Sequence, residues 1–456
     1  MNNCTRITTV AACAAFASVS GADELRVPQD YATLAAAAVA AMPGDVIVLD
    51  QGVFEGQVIF DDFHIRIRGQ GAGLTFIVPA SNDNGLPLLR WYDNGIDRNA
   101  GPEFPTLEDL TLIGFAGGDP SQQASYRQGL SVQGQNVGRF TMQRVRFEEF
   151  YVPNQLVCSI VNLDSFEAND CVFANTSGEE GSLEIRQMDQ AVLHRCSFER
   201  SSGYRGTLTL TSITDATIEN CSFVGTASMS LSTVRPSVQL AIVNATIRNC
   251  TFGAGGADVT SPSAAAGHFS SFNSAIQLER CAFGDGALFT GNINSTIEFD
   301  RCIGLQVPAV NGNIVADPQF VDPGDPGADG VWRTADDNTG DLTPMPTSPM
   351  IDAAGGEAFG PGAVDALGNP RLVDVTDIAN TGTGPIPYLD IGAIEYQGTN
   401  TCIADVNADG VLSPADFTAW IAAFNSGAPA CDQNGDRECT PADFTAWIAN
   451  YNAGCD

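Results

Sequence analysis

The chain has 456 residues and a formal net charge of −33, a length that predicts two or three domains with a large core. Such an acidic chain repels nucleic acid and anionic lipid, so neither is expected as a partner, whereas divalent cations are attracted. All 21 basic residues are arginine, which excludes lysine Schiff bases, a P-loop lysine and a lysine general base. The histidines His64, His194 and His268 stand far apart in the sequence, which excludes HExxH zinc sites, and we expect them on turns or outer faces.

Residues 1–22 have the pattern of a secretory signal peptide. Arg6 supplies the positive end, and residues 7–20 are apolar and small. The alternative is a lipoprotein signal, in which Val10-Ala11-Ala12 precedes Cys13. The sequence therefore predicts a secreted or cell-surface protein in an oxidising compartment. The rest of the chain has no other long apolar run, so no membrane span is predicted.

An end cap is predicted before the repeats. An alanine-rich stretch that ends at Ala41 is followed by the breaker Pro43-Gly44-Asp45 and by the apolar run Val46-Ile47-Val48-Leu49. This order predicts a helix and then a strand. A helix and strand at the start of a repeat region indicate a cap for the first repeat.

The middle of the chain repeats the phrase apolar-x-x-Cys-x-Phe. Most copies are separated by a distance in the twenties, which indicates stacked supersecondary units. Units also carry an alternating run, as in Leu183-Glu184-Ile185, which predicts a half-buried strand and leaves no room for a long helix. The cysteine position of the phrase, with valine in one copy, is occupied by Val145, Cys171, Cys196, Cys221, Cys250, Cys281 and Cys302.

Short strands, glycine-rich corners and this period predict an all-β parallel β-helix solenoid over residues 23–316. Each turn would bury its apolar residues beneath those of the next turn. The pattern resembles that of right-handed parallel β-helix proteins of the pectate-lyase-like type. This resemblance rests on the repeat and not on catalytic motifs.

The six repeat cysteines allow two interpretations. One is a column of small, buried, free thiols. The other is disulfides between turns, which strands ~4.8 Å apart permit. The first is favoured, because a continuous ladder does not need pairing. The phenylalanine two positions after each cysteine is predicted to belong to the core.

Residues 317–398 differ in character from the repeats. Four phrases stand out, and they are Asp317-Pro318-Gln319-Phe320-Val321-Asp322, Ser348-Pro349-Met350-Ile351-Asp352, Leu367-Gly368-Asn369-Pro370-Arg371 and Asp390-Ile391-Gly392-Ala393-Ile394-Glu395-Tyr396. They resemble the C-terminal part of secreted bacterial β-helix proteins with varied sorting anchors, which implies closing turns of the helix and no active site. The acidic loop 322–341 between them is either a calcium site or a solvated insertion, and the overall acidity favours the second.

The last part of the chain contains a tandem repeat in which equivalent residues lie 27 apart (432 − 405). A calcium loop needs oxygen ligands at alternate positions, a central bend and a final carboxylate. The bend is Gly410 in the first copy and Arg437 in the second, where positive φ costs ~1 kcal/mol and predicts weaker binding. The predicted ligands are Asp405, Asn407, Asp409, Val411 through its carbonyl, Ser413 and Asp416, and then Asp432, Asn434, Asp436, Glu438 through its carbonyl, Thr440 and Asp443.

An alternative interpretation treats Asp416 and Asp443 as helix-capping residues. Ser413-Pro414-Ala415-Asp416 and Thr440-Pro441-Ala442-Asp443 both resemble a capping box with proline at the first helical position. The two roles can coexist. Apolar residues then recur at helical spacing and predict two helices packed on each other through Phe417, Trp420, Ile421 and Phe424 and through Phe444, Trp447, Ile448 and Tyr451.

This tandem arrangement resembles a dockerin domain, and closely the bacterial variant that ends in Gly-Cys, here Gly454-Cys455. The resemblance covers residues 402–456, with 399–401 as a linker. It implies a small α-helical domain with two EF-hand-type loops, Ca2+-dependent folding and attachment to a cohesin-like or other surface-anchoring protein. The positions that contact cohesin in the family are Pro414-Ala415 and Pro441-Ala442, which lack the usual hydroxyls, so a cellulosomal cohesin is not favoured.

Four cysteines in this segment, Cys402, Cys431, Cys439 and Cys455, allow three pairings. A small exported domain gains stability from such crosslinks. The preferred pairing is a terminal clasp of Cys402 with Cys455, which leaves Cys431 with Cys439. The alternative is that some of the four remain free.

The sequence offers few candidates for catalysis. β-Helix enzymes that cut polysaccharides place carboxylates, or an arginine with calcium, along an outer strand face. Glu184 and Arg186 are the outward strand residues able to do acid–base work, but a glycosidase normally needs two carboxylates. A surface ion pair is therefore the favoured interpretation. If the register differs, the remaining candidates are Asp164, Glu167, Asp189 and Arg205.

Two functions stay open at this point. One is a non-catalytic exported protein that presents an elongated surface to polysaccharide and is attached through its dockerin-like domain. The other is a polysaccharide lyase or glycoside hydrolase of the same fold. Two or more outward carboxylates on adjacent turns would favour the enzyme, and their absence would favour the non-catalytic protein.

Overall fold

The structure is a computed structural model, and its described residues exclude several segments to which the sequence assigned a role. Among them are the expected signal peptide of residues 1–22, the linker 399–401 and Cys402. The described residues are 23–60, 64–79, 86–92, 105–114, 128–135, 138–152, 156–178, 181–203, 206–228, 237–258, 267–284, 287–332, 336–356, 363–375, 378–398, 403–407, 411–434 and 439–454.

A cap helix, α1, comes directly after the first strand. It spans Leu34–Ala40, and the Thr33 hydroxyl accepts a hydrogen bond from the Ala36 amide at its N-terminus. Such a side-chain acceptor satisfies one of the free amides of the first turn. Leu34 and Ala37 are fully buried against the parallel β-helix that follows. We call this β-helix the coil, and each of its turns is one coil. The predicted helix and the strand that follows it are thus confirmed, and their role as a cap stays a prediction.

Parallel strands make up most of the chain, and 28 of the described strands join in one continuous ladder. In chain order, β1 to β10 are Glu24–Val27, Val46–Leu49, Gly52–Glu55, Val58–Phe60, Arg66–Arg68, Thr75–Val78, Leu89–Tyr92, Thr106–Ile113, Leu130–Gln133 and Arg139–Val152. Strands β11 to β20 are Cys158–Val161, Ser165–Asn169, Val172–Gly178, Leu183–His194, Ser197–Glu199, Ser202–Gly203, Leu208–Glu219, Ser222–Val224, Thr226–Ser228 and Val238–Arg248. Strands β21 to β30 are Thr251–Phe252, Gly255–Asp258, Gly267–Phe272, Ala275–Glu279, Ala282–Phe283, Ala287–Ile293, Thr296–Asp300, Phe320–Asp322, Val331–Trp332 and Asp341–Pro344.

The registers divide the coil into three sheets that run along its axis. The first sheet contains β1, β2, β5, β12, β24, β27 and parts of the longer strands. The second contains β3, β6, β13, β15, β18, β21 and β25. The third contains β4, β7, β9, β11, β23 and β26. Long strands such as β14 pass from the third sheet to the first. This arrangement confirms the predicted parallel β-helix.

A column of phenylalanine rings fills the interior behind the second sheet. The centroids of Phe173 and Phe198 lie 5.0 Å apart, and those of Phe198 and Phe223 lie 4.8 Å apart, with nearly parallel planes. Burial of each ring contributes ~1.5–3 kcal/mol, and each pair adds ~0.5–1.5 kcal/mol. The prediction that these rings belong to the core is confirmed. The full column is Phe147, Phe173, Phe198, Phe223, Phe252 and Phe283.

The six repeat cysteines form a second buried column, and all of them are free thiols. Cys221 Sγ donates to the carbonyl oxygen of Glu219 at 3.3 Å, which satisfies its weak donor. Burial raises the pKa of the Cys221 thiol well above its usual value, so this side chain is an uncharged, unreactive core residue. The first of the two interpretations of the cysteines is confirmed.

Immediately before each repeat cysteine, the chain turns from the first sheet to the second through a residue with positive φ, such as Arg195 at 49° and Asn220 at 53°. For a residue with a Cβ this conformation costs about 1 kcal/mol. Charge pairing between coils offsets part of that cost, since Arg195 Nε and Nη2 lie 2.6 and 2.8 Å from the Asp170 carboxylate. The corner column consists of Asp109, Arg144, Asp170, Arg195, Asn220, Asn249, Arg280 and Arg301.

Two of the histidines lie at the surface of the coil and one lies in its interior. His64 lies in a turn and His194 on the outer side of the first sheet, as expected. His268 does not, since it is only 3% exposed and its ring lies 5.5 Å from Phe252 and 5.8 Å from Phe283. Burial lowers the pKa of His268 to about 4. Its repeat is one of the longest, so its inward position was not evident from the spacing.

The described residues between 317 and 396 form an outer layer on the second sheet. In this layer β28 pairs antiparallel with β30. The Ala393 amide donates to the Thr251 hydroxyl at 2.8 Å, and the Gly392 amide donates to the Arg280 carbonyl at 2.9 Å. The segment packs against the side of the coil, and its strand β29 also pairs parallel with β22 of the coil. The expected closing turns stay a prediction. The apolar core of the segment joins Val224, Ala282 and Ile303 of the coil to Phe320, Leu342, Met350, Leu389 and Ile391 of the layer.

An ionic cluster lies inside the outer layer. Arg371 is fully buried, and its Nη2 donates to the carbonyl oxygens of Asp390 at 3.1 Å and Gly392 at 2.6 Å. The Asp390 carboxylate accepts amide hydrogen bonds from Asp352 and Tyr396. Burial raises the pKa of Asp390 to about 7. The phrases that stand out in this segment therefore supply a buried polar core.

The C-terminal region folds into helix α2, Pro414–Ser426, a 3₁₀ turn at Pro429–Cys431, and helix α3, Pro441–Ala453. Cys431 is joined to Cys439 by a disulfide, as expected. Cys455 lies outside the described residues. No helix in the described parts of the chain has the length and apolar character needed to cross a membrane.

Candidate functional site

Two aromatic pairs hold α2 and α3 together. The centroids of Phe417 and Trp447 lie 5.1 Å apart, and those of Trp420 and Phe444 lie 5.5 Å apart. The predicted packing between the helices is confirmed for these residues, whereas Ile421 and Ile448 are 40% exposed and face away.

Each tryptophan also fixes the start of the opposite loop. Trp420 Nε1 donates to the carbonyl oxygen of Cys431 at 3.0 Å, directly before the second loop. Trp447 Nε1 donates to that of Ala404 at 3.2 Å, directly before the first loop. The two copies therefore hold one another in a near-symmetric pair.

Asp416 and Asp443, the last predicted ligand of each loop, are both fully buried. The Asp416 carboxylate accepts amide hydrogen bonds from Ser413 at 2.7 Å and Asn407 at 3.3 Å. Asp443 accepts equivalent bonds from Thr440 at 2.8 Å and Asn434 at 3.3 Å. Capping boxes are present at both helices, so the capping interpretation is confirmed.

The Asp416 and Asp443 carboxylates remain ionised although they are buried. Burial by itself raises the pKa of Asp416, but amide donors and a hydrogen bond with Asp405 lower it further, and the result is a pKa below its usual value. Hydrogen bonding, chiefly from Thr440, likewise lowers the pKa of Asp443. Ionised oxygen donors that converge on a loop suit a hard cation such as Ca2+.

Several members of the predicted loops lie outside the described residues, and they are Asp409, Gly410, Asp436, Arg437 and Glu438. The predicted ligands within the described residues are Asp405, Asn407, Val411, Ser413, Asp416, Asp432, Asn434, Thr440 and Asp443. Among described residues, no group of three or more histidine, cysteine or acidic side chains is arranged to hold a metal ion. Calcium binding stays a prediction.

The acidic loop 322–341 satisfies many of its own carboxylates. The Asp322 carboxylate accepts the Gly324 amide, and that of Asp325 accepts the Gly327 amide, both within 3 Å. Backbone bonds join Asp325 to Asn338 in both directions. These are turn contacts, typical of aspartate in loops.

Glu184 lies on the outer side of the third sheet, in register with Ser159 and Thr209. This alternation agrees with the predicted strand. Glu184 is however only 3% exposed, whereas Arg186 is exposed. Because Glu184 is screened from solvent, its position does not favour acid–base work on a polymer, and the predicted ion pair stays a prediction.

The other candidates have structural partners or lie on the surface. The Asp164 carboxylate accepts the Gly138 amide at 2.9 Å, and Glu167 forms an ion pair with Arg139. Asp189 is exposed, and Arg205 lies outside the described residues. Among the described candidates, Asp164 and Asp189 lie next to each other on adjacent coils, where the Asp189 amide donates to the Asp164 carbonyl oxygen at 3.1 Å, whereas Glu167 lies three residues farther along the chain.

The outer side of the first sheet carries a more regular array, which we call the outer strip. It covers three adjacent coils, with neighbouring side chains ~4.8 Å apart along the axis. A middle row of short side chains lies between two rows of longer polar ones. The middle row is Val192, Thr217 and Thr246, and one flank is His194, Glu219 and Arg248. The other flank is Gln190 and Asp215, followed by Asn244 at an irregularity in the register of β17 and β20. All nine side chains are exposed or half-buried, so the strip is accessible to solvent.

The charged flank of the strip is internally paired. Arg248 Nε lies 2.9 Å from Glu219 Oε1, and Arg248 Nη2 donates to Glu219 Oε2 at 3.1 Å. His194 Nδ1 is 3.7 Å from Glu219 Oε2. Burial, and then the charge of Arg195, lower the pKa of His194. The imidazole is therefore neutral near pH 7 and can both donate and accept a hydrogen bond.

Below the strip, the first sheet places two outward carboxylates on adjacent coils. Glu279 pairs in register with Asp300, and their side chains are 30% and 43% exposed. Arg280 and Arg301 lie beside them at 3.5 and 2.6 Å. Glu279 and Asp300 are therefore candidates for acid–base chemistry.

The sequence contains a signal for the charged flank of the strip and for the Glu279–Asp300 pair. In the phrase apolar-x-x-Cys, the first variable position carries His194, Glu219, Arg248, Glu279 and Asp300 in successive copies. Only the register shows that these residues form one outward column, because the upstream runs, whose alternation predicts an outer face, belong to the third sheet.

No protein-family model matches the chain, and no curated protein sequence matches it. Similar solved structures include ORF18 of Geobacillus virus E2, with 13% identity, a TM-score of 0.34, and 58% of this chain and 56% of that chain covered. Another is Pantoea stewartii WceF, described as a glycan biofilm modifying enzyme with a tailspike-like parallel β-helix, with 9% identity, a TM-score of 0.36, and 56% and 37% covered.

A third is the A-module of the Azotobacter vinelandii mannuronan C-5 epimerase AlgE4, with 12% identity, a TM-score of 0.21, and 61% and 93% covered. The chain thus spans about half, or less, of the length of the first two proteins. The strand registers of the chain itself define its parallel β-helix, and no residue role transfers at these levels of similarity.

Proposed function

We propose that this protein binds polysaccharide along the outer strip of its β-helix and is attached to a partner outside the cell through its C-terminal helix pair. The observation that carries the proposal is the exposed row of short side chains, Val192, Thr217 and Thr246, between two rows of polar ones. A glycan presents hydroxyl groups that donate and accept hydrogen bonds along its length. The strip offers amide, carboxylate, imidazole and guanidinium groups at regular intervals to meet them.

Rigidity supports the same conclusion. All nine strip residues lie on strands whose inward neighbours, such as Leu193, Ile218 and Ile247, are fully buried. A ligand that binds such a fixed surface does not have to order the protein, which reduces the entropic cost of binding. The glycan-related proteins among the similar structures share the architecture only, so the proposal rests on the strip.

The test is a binding screen of the full chain against neutral and acidic polysaccharides by affinity electrophoresis. Thr217→Gln places a longer side chain in the middle row of the strip and is expected to weaken binding by about tenfold, or ~1.4 kcal/mol. The matched control is Thr211→Gln, which makes the same change on the third sheet. The proposal would be wrong if Thr217→Gln and Thr211→Gln bound equally well, or if the native protein bound none of the polymers.

A second candidate function, glycoside hydrolysis, is favoured by Glu279 and Asp300. Adjacent coils place their backbones ~4.8 Å apart, close to the ~5–5.5 Å carboxyl separation of retaining glycosidases. One carboxyl group would protonate the leaving oxygen while the other attacks the anomeric carbon, and water would then hydrolyse the glycosyl ester. A polysaccharide lyase is the alternative reaction.

The same screen separates these reactions. Hydrolysis releases reducing ends, and a lyase releases unsaturated products that absorb in the ultraviolet. If the protein is a hydrolase, Glu279→Gln and Asp300→Asn should abolish reducing-end release and leave binding at the strip intact. Binding without either product signal would exclude catalysis on those polymers.

Attachment is proposed to depend on calcium. The two loops would hold Ca2+ through oxygen donors that end at Asp416 and Asp443, and the ion would then fix the loops against the helices. The proposed partner is a cohesin-like or other surface-anchoring protein, and the proposed location is secreted or at the cell surface.

Chelation tests the calcium proposal on the full chain. EDTA should speed amide hydrogen exchange in α2 and α3 by at least tenfold and leave the coil strands unchanged. The control is Asp416→Asn with Asp443→Asn, in which exchange should be fast with or without EDTA. Unchanged exchange of the native protein in EDTA would contradict calcium-dependent folding.

A further inference from the structure

We propose that Glu219 makes the outer strip selective for neutral polysaccharide by holding Arg248, the only cationic side chain of the strip, in an internal ion pair. This inference rests on the proposed binding function and adds the class of polymer. It also assigns Glu219 as the residue that determines this specificity.

The charge of the strip is the first step. Its two carboxylates, Asp215 and Glu219, face outward with one arginine, Arg248, in a chain whose net charge is −33. A polyanion that approaches the strip meets the field of the whole chain as well as these two groups. A cation free to contact it would be needed to offset that repulsion.

Arg248 is not free in this sense. Its guanidinium contacts both oxygens of Glu219, at 2.9 and 3.1 Å, although 40% of its side chain is exposed. A carboxylate or sulfate group of a ligand would have to displace Glu219, which is only 16% exposed and cannot easily turn away. Two-point arginine–carboxylate pairs are among the strongest polar contacts at a protein surface.

Neighbouring cations are committed as well. Arg195 contacts Asp170 through two nitrogens at 2.6 and 2.8 Å. Arg280 Nε donates to Asn249 Oδ1 at 2.9 Å, and its side chain is only 11% exposed. Neither arginine can therefore replace Arg248 in contacts with a polyanion.

Neutral polymers meet no such barrier. Gln190, Asn244 and the hydroxyls of Thr217 and Thr246 can donate and accept hydrogen bonds without a change in charge. His194 is neutral, and the Glu219 carboxylate can accept a hydroxyl hydrogen while it stays paired with Arg248. The methyl groups of the middle row can contact the C–H faces of sugar rings.

The test uses the full-length protein and the variant Glu219→Gln, which keeps the shape of the side chain and removes its charge. Affinity electrophoresis is run against neutral glucan, galactan, xylan and mannan and against the polyuronates polygalacturonate and alginate. The native protein is expected to bind at least one neutral polymer and neither polyuronate. Glu219→Gln should gain polyuronate binding of at least about tenfold, and added salt should abolish that gain.

The matched control is Glu298→Gln, which removes one outward charge from the same sheet without releasing an arginine. It should not gain polyuronate binding. Native binding to polyuronate as strong as to any neutral polymer would overturn the inference. Neutral binding with no gain in Glu219→Gln would refute the role of Glu219 and leave the proposed function standing, whereas absence of all binding would refute the proposed function itself.

Discussion

The coil and the outer layer fill their interiors in opposite ways. Inside the coil, like side chains stack on like, as in the phenylalanine column, where neighbouring centroids lie 4.7 to 5.2 Å apart. Inside the layer, Arg371, Asp390 and Glu395 are buried together. These charged side chains do not belong to a repeated column. When one apolar contact of the coil is lost, equivalent contacts one coil away remain in place. A buried ion has only one set of partners, so nothing replaces a partner that is lost. The layer should therefore be the more sensitive of the two to substitution and to pH.

The largest expected effect comes from Arg371→Met. It removes the cation that faces Glu395 and two donors to backbone carbonyls, and loss of one partner of a buried pair costs ~3–5 kcal/mol. Hydrogen exchange across residues 345–396 measures the loss. The control is the exposed Arg186→Met, which should cost less than ~0.5 kcal/mol. Equal exchange in the two variants would show that the buried ions do not hold the layer.

A change in pH should change the stability of the coil and the stability of the outer layer in opposite directions. Asp390 has a pKa raised from 3.8 to about 7, so its contribution is full below pH 3.8 and is lost as the pH rises towards 7. His268 has a pKa lowered from 6.5 to about 4, so its contribution is full above pH 6.5 and is lost as the pH falls towards 4.

From about pH 8 to about pH 5, the layer should therefore gain stability on the order of 2 kcal/mol while the coil near His268 loses some. Exchange rates corrected for intrinsic pH dependence test this for each region separately. His268→Phe should remove the acid sensitivity of the coil alone. Parallel changes in both regions would contradict the assignment of these two groups.

A smaller loss is expected for Phe198→Leu in the middle of the phenylalanine column. The ring is fully buried between Phe173 and Phe223, but leucine keeps most of the apolar contact, so the cost should be about 1.5 kcal/mol. Thermal unfolding of the coil gives the value. Phe272→Leu, at a position 44% exposed, is the control, and a loss above ~3 kcal/mol in Phe198→Leu would mean that the coil does not buffer substitutions.

The smallest effect should come from the charged corners of the coil. Asp170→Asn removes the partner of Arg195, whose side chain is 22% exposed, and partly exposed pairs contribute ~0.2–1 kcal/mol. The loss should shrink in high salt. Asp189→Asn on the open surface is the control. A loss that is large and independent of salt would place this pair with the buried ions of the layer.

Much of the coil could be predicted from sequence, because a repeat fixes which residues stack. The cysteine and phenylalanine columns follow directly from the phrase apolar-x-x-Cys-x-Phe. The outer strip could not be found in the same way. His194, Glu219 and Arg248 occupy a variable position of the phrase, and their meaning appears only when three coils are placed in register.

The outer layer shows a second limit. Asp390 and Glu395 stand out as exposed-type residues in a short motif, yet both are only 1% exposed. Their burial depends on Arg371 and on backbone amides distant in sequence, which no local pattern reports. The same holds for His268, whose burial against Phe252 and Phe283 is not evident from the length of its repeat.

The sequence by itself determined the parallel coil, the stacking of its cysteines and the paired C-terminal helices, because each follows from local periodicity and capping chemistry. The tertiary structure alone decided which side of the coil is open, which carboxylates are buried and which arginines are already paired. Those properties depend on contacts between coils and between the coil and the layer, where residues far apart in the chain meet and where water is excluded.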